Sequence, residues 1–398
     1  MEVRQQRGLE IAALYKIERK GDHYVVPSQS GKGTYKVKTA PDPDNCTCPD
    51  FLATHAKCKH VFAVEFTLQR ETPSTPQVIP EIPLREKKLY RQNWPAYRLA
   101  QIHEKARFQE LLHTLCAGID EPIQLTGRSR VPLPDIIFAA AFKVYSTTSA
   151  RCFMTDLREA RTKGYLSKLP CYNSINQYIE KEELTPYLKW LITQSSLPLK
   201  AVETDFAVDA TGFSTCQYVR WFDEKYGKEQ TERDWVKAHV MCGVKTNIIT
   251  AAEVSGPHDH DTNFFASLVN ATAKHFQIEE VSADKAYSSY ANMRVVEAKK
   301  AVPYIDFKFG STDTGKCEIW NKMWHYYSLH REEFMQHYHK RSNVESTFSM
   351  VKAKFGGSLR SKLPIAQANE VLLKILCHNL CCLIQSIYEM EIEATFWT

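Results

Sequence analysis

No apolar run in this 398-residue chain approaches the ~20 residues needed to span a bilayer. The nearest, Val371–Tyr388, is interrupted by Lys374, His378, Asn379 and Gln385 and reads as a buried helix. A strong charge of either sign is missing too. Fifty-one Lys and Arg against 46 Asp and Glu leave +5, which permits nucleic-acid binding without demanding it. The twelve cysteines lack the spacing of a disulfide framework, and Met1 to Arg7 are polar rather than a hydrophobic leader. These absences exclude a membrane-spanning protein and a disulfide scaffold, and predict a soluble protein of a reducing compartment, the cytoplasm. The length allows two or three domains, each with its own core.

What is present begins with Tyr338-His-Lys-Arg341-Ser-Asn-Val-Glu345 and continues to Lys352. At about 100° per residue, Arg341, Glu345 and Lys352 fall at about 300°, 340° and 320° from Tyr338, on one stripe about 60° wide. The stripe beside it carries Val344, Phe348 and Val351, an apolar face that would dock on a core. Between His337 and Lys362 stand six Lys or Arg and one acid, Glu345, so the surface suits a polyanion. The plainer reading is an i,i+4 ion pair of Arg341 and Glu345 on a solvated face. Two upstream stretches favour the metal-binding reading. Strand-like alternation leads into Asp209, and a strand signal at Ile278–Val281 precedes Asp284. Two aspartates at strand ends plus a helical glutamate form the carboxylate set that binds two Mg²⁺ (or Mn²⁺) about 3.5–4 Å apart. Asp205 shares the strand face of Asp209 and is a rival for the first position.

The ordered trio Val-Asp209-Ala-Thr-Gly, Ala-Asp284-Lys-Ala-Tyr and Tyr338-x2-Arg341-x3-Glu345-x6-Lys352 resembles the DDE transposases of bacterial and archaeal insertion sequences that carry a Tyr-Arg-Glu-Lys signature. The resemblance covers roughly residues 130–385. It implies an α/β fold with a ribonuclease-H-like core, and Asp209, Asp284 and Glu345 as catalytic metal ligands. Asp209 is preferred over Asp205 because the family's first acid precedes Thr-Gly. The resemblance also implies that Tyr338, Arg341 and Lys352 contact DNA near the cut. The partners it implies are double-stranded DNA, as element ends and as target, and a second copy in a homodimer, with nucleoid association when DNA is bound.

Taken in order, residues 1–40 predict a short helix (Leu9–Tyr15) and strands at Tyr24–Val26 and Tyr35–Val37 around a Gly31-Lys-Gly33 turn. Cys46-Thr-Cys48 is followed by Cys58-Lys-His60, two short pairs able to close a tetrahedral Zn²⁺ site without a large core. His55 is a rival ligand without the paired spacing. The pattern resembles the SWIM-type zinc finger, with the first pair at a hairpin and the second at the start of a helix, here His60–Gln69. That gives a zinc domain over residues 1–70. Residues 71–84 hold four prolines and read as an extended linker.

Residues 85–196 predict a helical region. Leu99, Ile102, Ala106, Leu111, Leu112 and Leu115 form its first apolar face, and helices follow near 134–145, 149–163, 173–182 and 185–195. By resemblance this region has helix-turn-helix character, and Arg151, Arg158, Arg161 and Lys163 are candidate DNA contacts. Residues 197–398 would be the catalytic domain in β-β-β-α-β-α-β order, ending in a helix at Pro364–Met390. His258-Asp-His260-Asp261 reads as a loop with Asp261 capping the next helix, or as a metal cluster. Trp320, Trp324 and Tyr327, at i, i+4 and i+7, read as packing, with base stacking as the alternative. Fewer than forty residues separate Asp306 from Glu345, too few for the insertion domain of some relatives. The expected activity is cleavage of element ends and joining of the 3′-OH to target DNA. The alternatives are a metal-dependent nuclease without joining, and a domesticated zinc-finger DNA-binding protein, which would have no need of three acids.

Overall fold

The computed structural model describes residues 3–28, 33–39, 44–71, 93–124, 126–127, 129–215 and 235–397. Of the expected proline linker only Glu71, and of the expected turn only Gly33, lie within the described residues. The chain divides into two units, Met1–Tyr90 and Arg91–Thr398.

The first unit opens with a helix, Val3–Leu14, followed by strands β1 (Glu18–Lys20), β2 (His23–Pro27), β3 (Thr34–Lys38) and β4 (Asn45–Cys46) in one antiparallel sheet, order β1-β2-β3-β4. A short helix, Pro49–Thr54, and a longer one, Lys59–Glu71, complete it. A Cβ on Gly8 would stand 2.6 Å from Phe62 Cβ and 2.9 Å from the Lys59 carbonyl, so only glycine lets the two long helices approach this closely. The core is small. Ile11, Val26, Val37, Val61 and Val64 are buried together with three cysteines, and a core of that size calls for a further staple.

The second unit is built on a mixed five-stranded sheet, order β7-β6-β5-β8-β9. Its strands are β5 (Asp205–Ser214), β6 (Trp235–Gly243), β7 (Ile249–Ser255), β8 (Glu280–Ala283) and β9 (Val302–Ile305). β5 pairs antiparallel with β6 and parallel with β8, which in turn pairs parallel with β9. Because strand side chains alternate, Phe206 and Val208 join one core, with the helices Thr262–Thr272, Tyr290–Glu297 and Glu318–Leu329. Ala207 and Phe213 join the other, with the helices of residues 94–196, the Glu345 helix Ser342–Phe355 and the C-terminal helix Pro364–Met390. Together these are the ribonuclease-H-like α/β arrangement.

Contrary to the expectation that no stretch approaches a membrane span, the C-terminal helix is long and apolar enough by length and composition, and what remains of that expectation is its burial: 78% of its most apolar window lies inside the protein. Its polar interruptions are connectors. Asn379 accepts from Ile249 N–H (2.9 Å) and donates to Ile249 C=O (2.7 Å), Ile192 C=O (3.1 Å) and Ser195 Oγ (3.0 Å). It thereby pairs the outer backbone edge of β7 with a side chain instead of a strand. His378 bonds the Asn247 carbonyl (2.9 Å), and Lys374 donates to the carbonyls of Gly356 (2.9 Å) and Ser358 (2.7 Å).

One expectation is corrected. The helix Trp94–Cys116 buries Phe108, Leu111, Leu112 and Leu115, but Leu99 is 47% and Ile102 74% exposed. Ala106 is exposed as well. The apolar period continues past the point where the rest of the fold stops covering it.

Replacing Asn379 by Ala leaves Ile249 N–H and C=O buried without partners, at about 1–3 kcal/mol per unsatisfied group. The expected loss of folding stability is about 2–4 kcal/mol, read from urea denaturation. A variant within about 0.5 kcal/mol of the parent would show that the pin contributes nothing.

Candidate active site and zinc centre

In the parallel ladder Asp205 faces Glu280 and Val208 faces Ala283, while Glu280 faces Val302 and Ala283 faces Ile305. One residue further on, Asp209, Asp284 and Asp306 stand abreast across β5, β8 and the end of β9, at strand spacings of about 4.8 Å. Each accepts the next backbone N–H on one carboxylate oxygen: Ala210 at 2.8 Å, Lys285 at 2.7 Å and Phe307 at 2.9 Å. Asp306 was not singled out from the sequence. Its place at the end of a strand signal, as with Asp284, was the clue.

Glu345 reaches the same place from the helix that covers this face of β5. Val344, Phe348 and Val351 are buried, as the helical period predicts, which leaves Arg341, Glu345 and Lys352 toward the strand. The stretch is not one continuous helix. A helix Arg331–Tyr338 ends, a 3-10 turn (His339–Arg341) follows, and the Glu345 helix begins at Ser342. The break still leaves Arg341 Cζ 6.0 Å from the centre of the Tyr338 ring. Gly356, at φ 83°, ends the Glu345 helix where the glycine pair predicts.

The guanidinium of Arg341 lies between two of the acids, 3.0 Å from Asp209 Oδ2 and 2.6 Å from Glu345 Oε1. Burial raises the Asp209 pKa, the Ala210 N–H and Arg341 oppose that, and Asp284 and Glu345 push it further up. The acids therefore sense one another, and Arg341 is the cation that offsets them. Burial works against the charge on Arg341 itself, but Tyr338, Asp209 and Glu345 more than restore it. Hard carboxylate oxygens that already hold a cation suit a divalent ion such as Mg²⁺ or Mn²⁺. Lys352 donates to Thr211 Oγ1 at 2.7 Å, and burial lowers its pKa.

Asp205 has different company. Lys340 Nζ lies 2.7 Å from Asp205 and 2.9 Å from Glu280, and His337 contacts Glu280 at 2.8 Å. This network ties the 3-10 turn to the start of β5 and β8, one helical residue away from the Arg341 contact.

In the first unit Cys46, Cys48, Cys58 and His60 are all buried, with ligand atoms within 4.8 Å of one another. They are the one such group among the described residues. His60 Nδ1 is 3.9 Å from both Cys46 Sγ and Cys58 Sγ. A zinc tetrahedron has sulfur–nitrogen edges of about 3.5 Å, so the quartet fits Zn²⁺ with a small contraction. β4 ends at Cys46, and Cys58 immediately precedes the helix that carries His60. His55, in a left-handed conformation after the short helix, is outside the group.

Arg151, Arg158, Arg161 and Lys163 are exposed along the helix Phe153–Thr162 and its flanks. Arg151 stacks over Tyr172 (5.4 Å) and Lys163 reaches Gln109 (3.4 Å). Asp261 does not cap its helix. Its carboxylate pairs with Lys237 (3.1 Å) instead, since a nearby cation outcompetes backbone N–H groups, and no metal group forms at 258–261. Trp320, Trp324 and Tyr327 pack, their indoles donating to Thr312 and Ser311 carbonyls and Tyr327 lying against Phe307 and Phe334.

Residues 200–380 match the family model of the transposase DDE domain, and residues 35–69 match that of the SWIM zinc finger. No solved structure matches the chain.

Two outcomes are expected. Cys58→Ser should lose about one zinc per chain, since three ligands do not close a structural site. Proteolysis should then become rapid within residues 35–70 while residues 93–397 stay resistant; full zinc content in the variant would remove the site. Arg341→Met should lower the melting temperature clearly in EDTA and much less in millimolar Mg²⁺, because a divalent ion offsets the same carboxylates. Equal losses in both buffers would assign Arg341 a purely structural part.

Proposed function

We propose, for a chain that carries a transposase DDE domain behind a SWIM zinc finger, that it cuts the ends of a DNA element and joins the freed 3′-OH to target DNA. The carrying observation is that the parallel β5–β8 register sets Asp209 beside Asp284, while Arg341 ties Asp209 to Glu345 of the covering helix. Asp209, Asp284 and Glu345 would hold two divalent ions, Mg²⁺ or Mn²⁺. When bound, such ions activate a hydroxyl for in-line attack on phosphorus and stabilise the leaving oxygen.

The residues of the chain do the rest. Arg341, freed from the carboxylates, is placed to hold a phosphate oxygen bidentately. Lys352, with a neutral hydroxyl as its partner, offers a second charge along the same strand. Tyr338, beside Asp284, Asp306 and Arg341, is placed to position the strand at the cut. One site of this kind serves both steps, water attacking first and the 3′-hydroxyl second, and no covalent enzyme intermediate is needed. Arg151, Arg158, Arg161 and Lys163 would extend the contact along duplex DNA. A homodimer is the assembly this activity calls for, since two ends are cut together.

Asp209→Asn, Asp284→Asn and Glu345→Gln should each retain binding of a labelled element end yet lose cleavage and joining together, by at least about 10³-fold. Asp205→Asn is the control. Its partner Lys340 belongs to a neighbouring network, so substantial activity should remain. Cutting by all three variants would sink the transposase reading, and parental cleavage without any joining would leave a nuclease. If Asp205→Asn is dead while Asp209→Asn cuts, the first acid has been assigned four residues too late.

A further inference from the structure

A cavity of about 470 Å³ lies close to Phe213, whose ring centre is 5.5 Å from Nζ of Lys374, a residue of the cavity wall. It opens between the end of the helix Leu133–Ser146, the helix Tyr172–Ile179, the loop after the Glu345 helix and the first turns of the C-terminal helix. Lys143, Arg360, Lys362 and Lys374 line it against two acids, Glu180 and Glu370, so its walls carry a net charge of four minus two.

The two deepest charges maintain the wall. Glu370 accepts the backbone N–H groups of Arg360 (3.0 Å) and Ser361 (2.8 Å), and Lys374 holds the carbonyls of Gly356 and Ser358. They lie 3.7 Å apart, so Glu370 is largely committed to its neighbours. Arg360 is fixed by the carbonyls of Thr147 and Thr148 (2.5 and 2.8 Å).

Lys143 is different. It is half-buried, its Nζ donates to the neutral Asn176 Oδ1 at 2.8 Å, and among the described residues no carboxylate lies within 4.0 Å of it. Burial lowers its pKa, Glu370 opposing and Arg360 reinforcing. A half-buried ammonium beside a second fixed cation, with no counter-charge of its own, is held for an anion.

We infer that this cavity is a phosphate-binding site, and that the phosphate it takes belongs to the DNA strand running from the carboxylates past Lys352. The inference rests on the proposed DNA-cutting reading for the source of the phosphate, but not for the chemistry of the site. Asp209, Thr211 and Phe213 share one face of β5, and Phe213 lies about 13 Å from Asp209 at about 3.3 Å per residue. Lys352 Nζ is 5.4 Å and Lys374 Nζ 5.5 Å from the Phe213 ring centre. The ammonium groups of Lys352 and Lys374 are therefore no more than about 11 Å apart, and β5 leads from the Arg341–Asp209 pair to the ring they share. At about 3.4 Å of duplex axis per nucleotide, the cavity meets the strand about four or more nucleotides from the cut.

The test uses the full-length protein. Lys143→Gln, which keeps a donor for Asn176, should weaken binding of a labelled duplex several-fold. It should also reduce the slope of log K against log[salt] by about 0.9, the value of one lost phosphate contact. Lys274→Gln, an exposed lysine preceding β8 at the end of the sheet away from Asp284, should change neither. In parallel, amine acylation of Lys143 read by mass spectrometry should be suppressed by duplex at concentrations where inorganic phosphate and deoxyadenosine monophosphate do nothing. An unchanged slope with Lys143 still reactive in the DNA complex overturns the inference. Protection by the mononucleotide or by phosphate in a protein that binds no duplex would retain the phosphate site, overturn its DNA source and remove the proposed function with it. A protein that binds and cuts duplex with Lys143 unprotected would overturn only the cavity.

Discussion

Burying Asp209 beside Asp284 and Glu345 costs free energy that the Ala210 N–H and a cation offset, and Arg341 supplies that cation from the turn before the Glu345 helix. That contact fixes where the helix sits along β5, since Val344, Phe348 and Val351 must enter the core on its other side. The same turn is tied a second time, through Lys340 to Asp205 and Glu280. Two cations in succession thus hold one turn to two neighbouring strands. One network closes the base of the strands, and the other joins Asp209, at the end of β5, to Glu345. Under the proposed function, a cation that pairs with two of the acids is well suited to give up its place to metal and to take a phosphate instead.

The C-terminal helix does for the covering layer what Arg341 does for the site. It is apolar enough to be mistaken for a membrane span, but its apolar window is buried inside the protein. Its buried polar residues meet backbone groups that would otherwise be orphaned: Asn379 at β7, His378 at Asn247, and Lys374 in the loop after the Glu345 helix. Satisfied polar groups of this kind fix one register of a helix against a sheet edge where apolar packing alone would tolerate several. They also bring Lys374 and Glu370 to the wall of the basic cavity, so one set of contacts shapes both the core and a charged surface beside the site.

The first unit solves its stability problem by other means. Its buried apolar set is small, and three of its members are the thiols of the Cys/His quartet. Cys58 is the sulfur that most favours the thiolate, its pKa lowered chiefly by the hydrogen bond from Cys46, whose own pKa is raised. Zinc requires all three sulfurs as thiolates, and a cation among them removes the mutual repulsion of thiolates packed this closely.

Local spacing picked out the Cys/His quartet and left His55 as a rival, because two short pairs are enough to close a tetrahedral site. It determined the order of strands and helices in the core, and the two faces of the Glu345 helix, since both follow from periods of two and 3.6 residues. It also raised Asp205 and Asp209 together and had no means of separating their surroundings, because both point from the same face of one strand. The tertiary structure separated them, giving Asp205 to Lys340 and placing Asp209 level with Asp284 through the β5–β8 register. It added Asp306 to that row, left Leu99 and Ile102 exposed, and turned Asp261 from its helix toward Lys237. The reason is common to all of these. A sequence period states which residues share a face, but which partner covers that face, and which charge stands opposite, is decided only when distant segments pack.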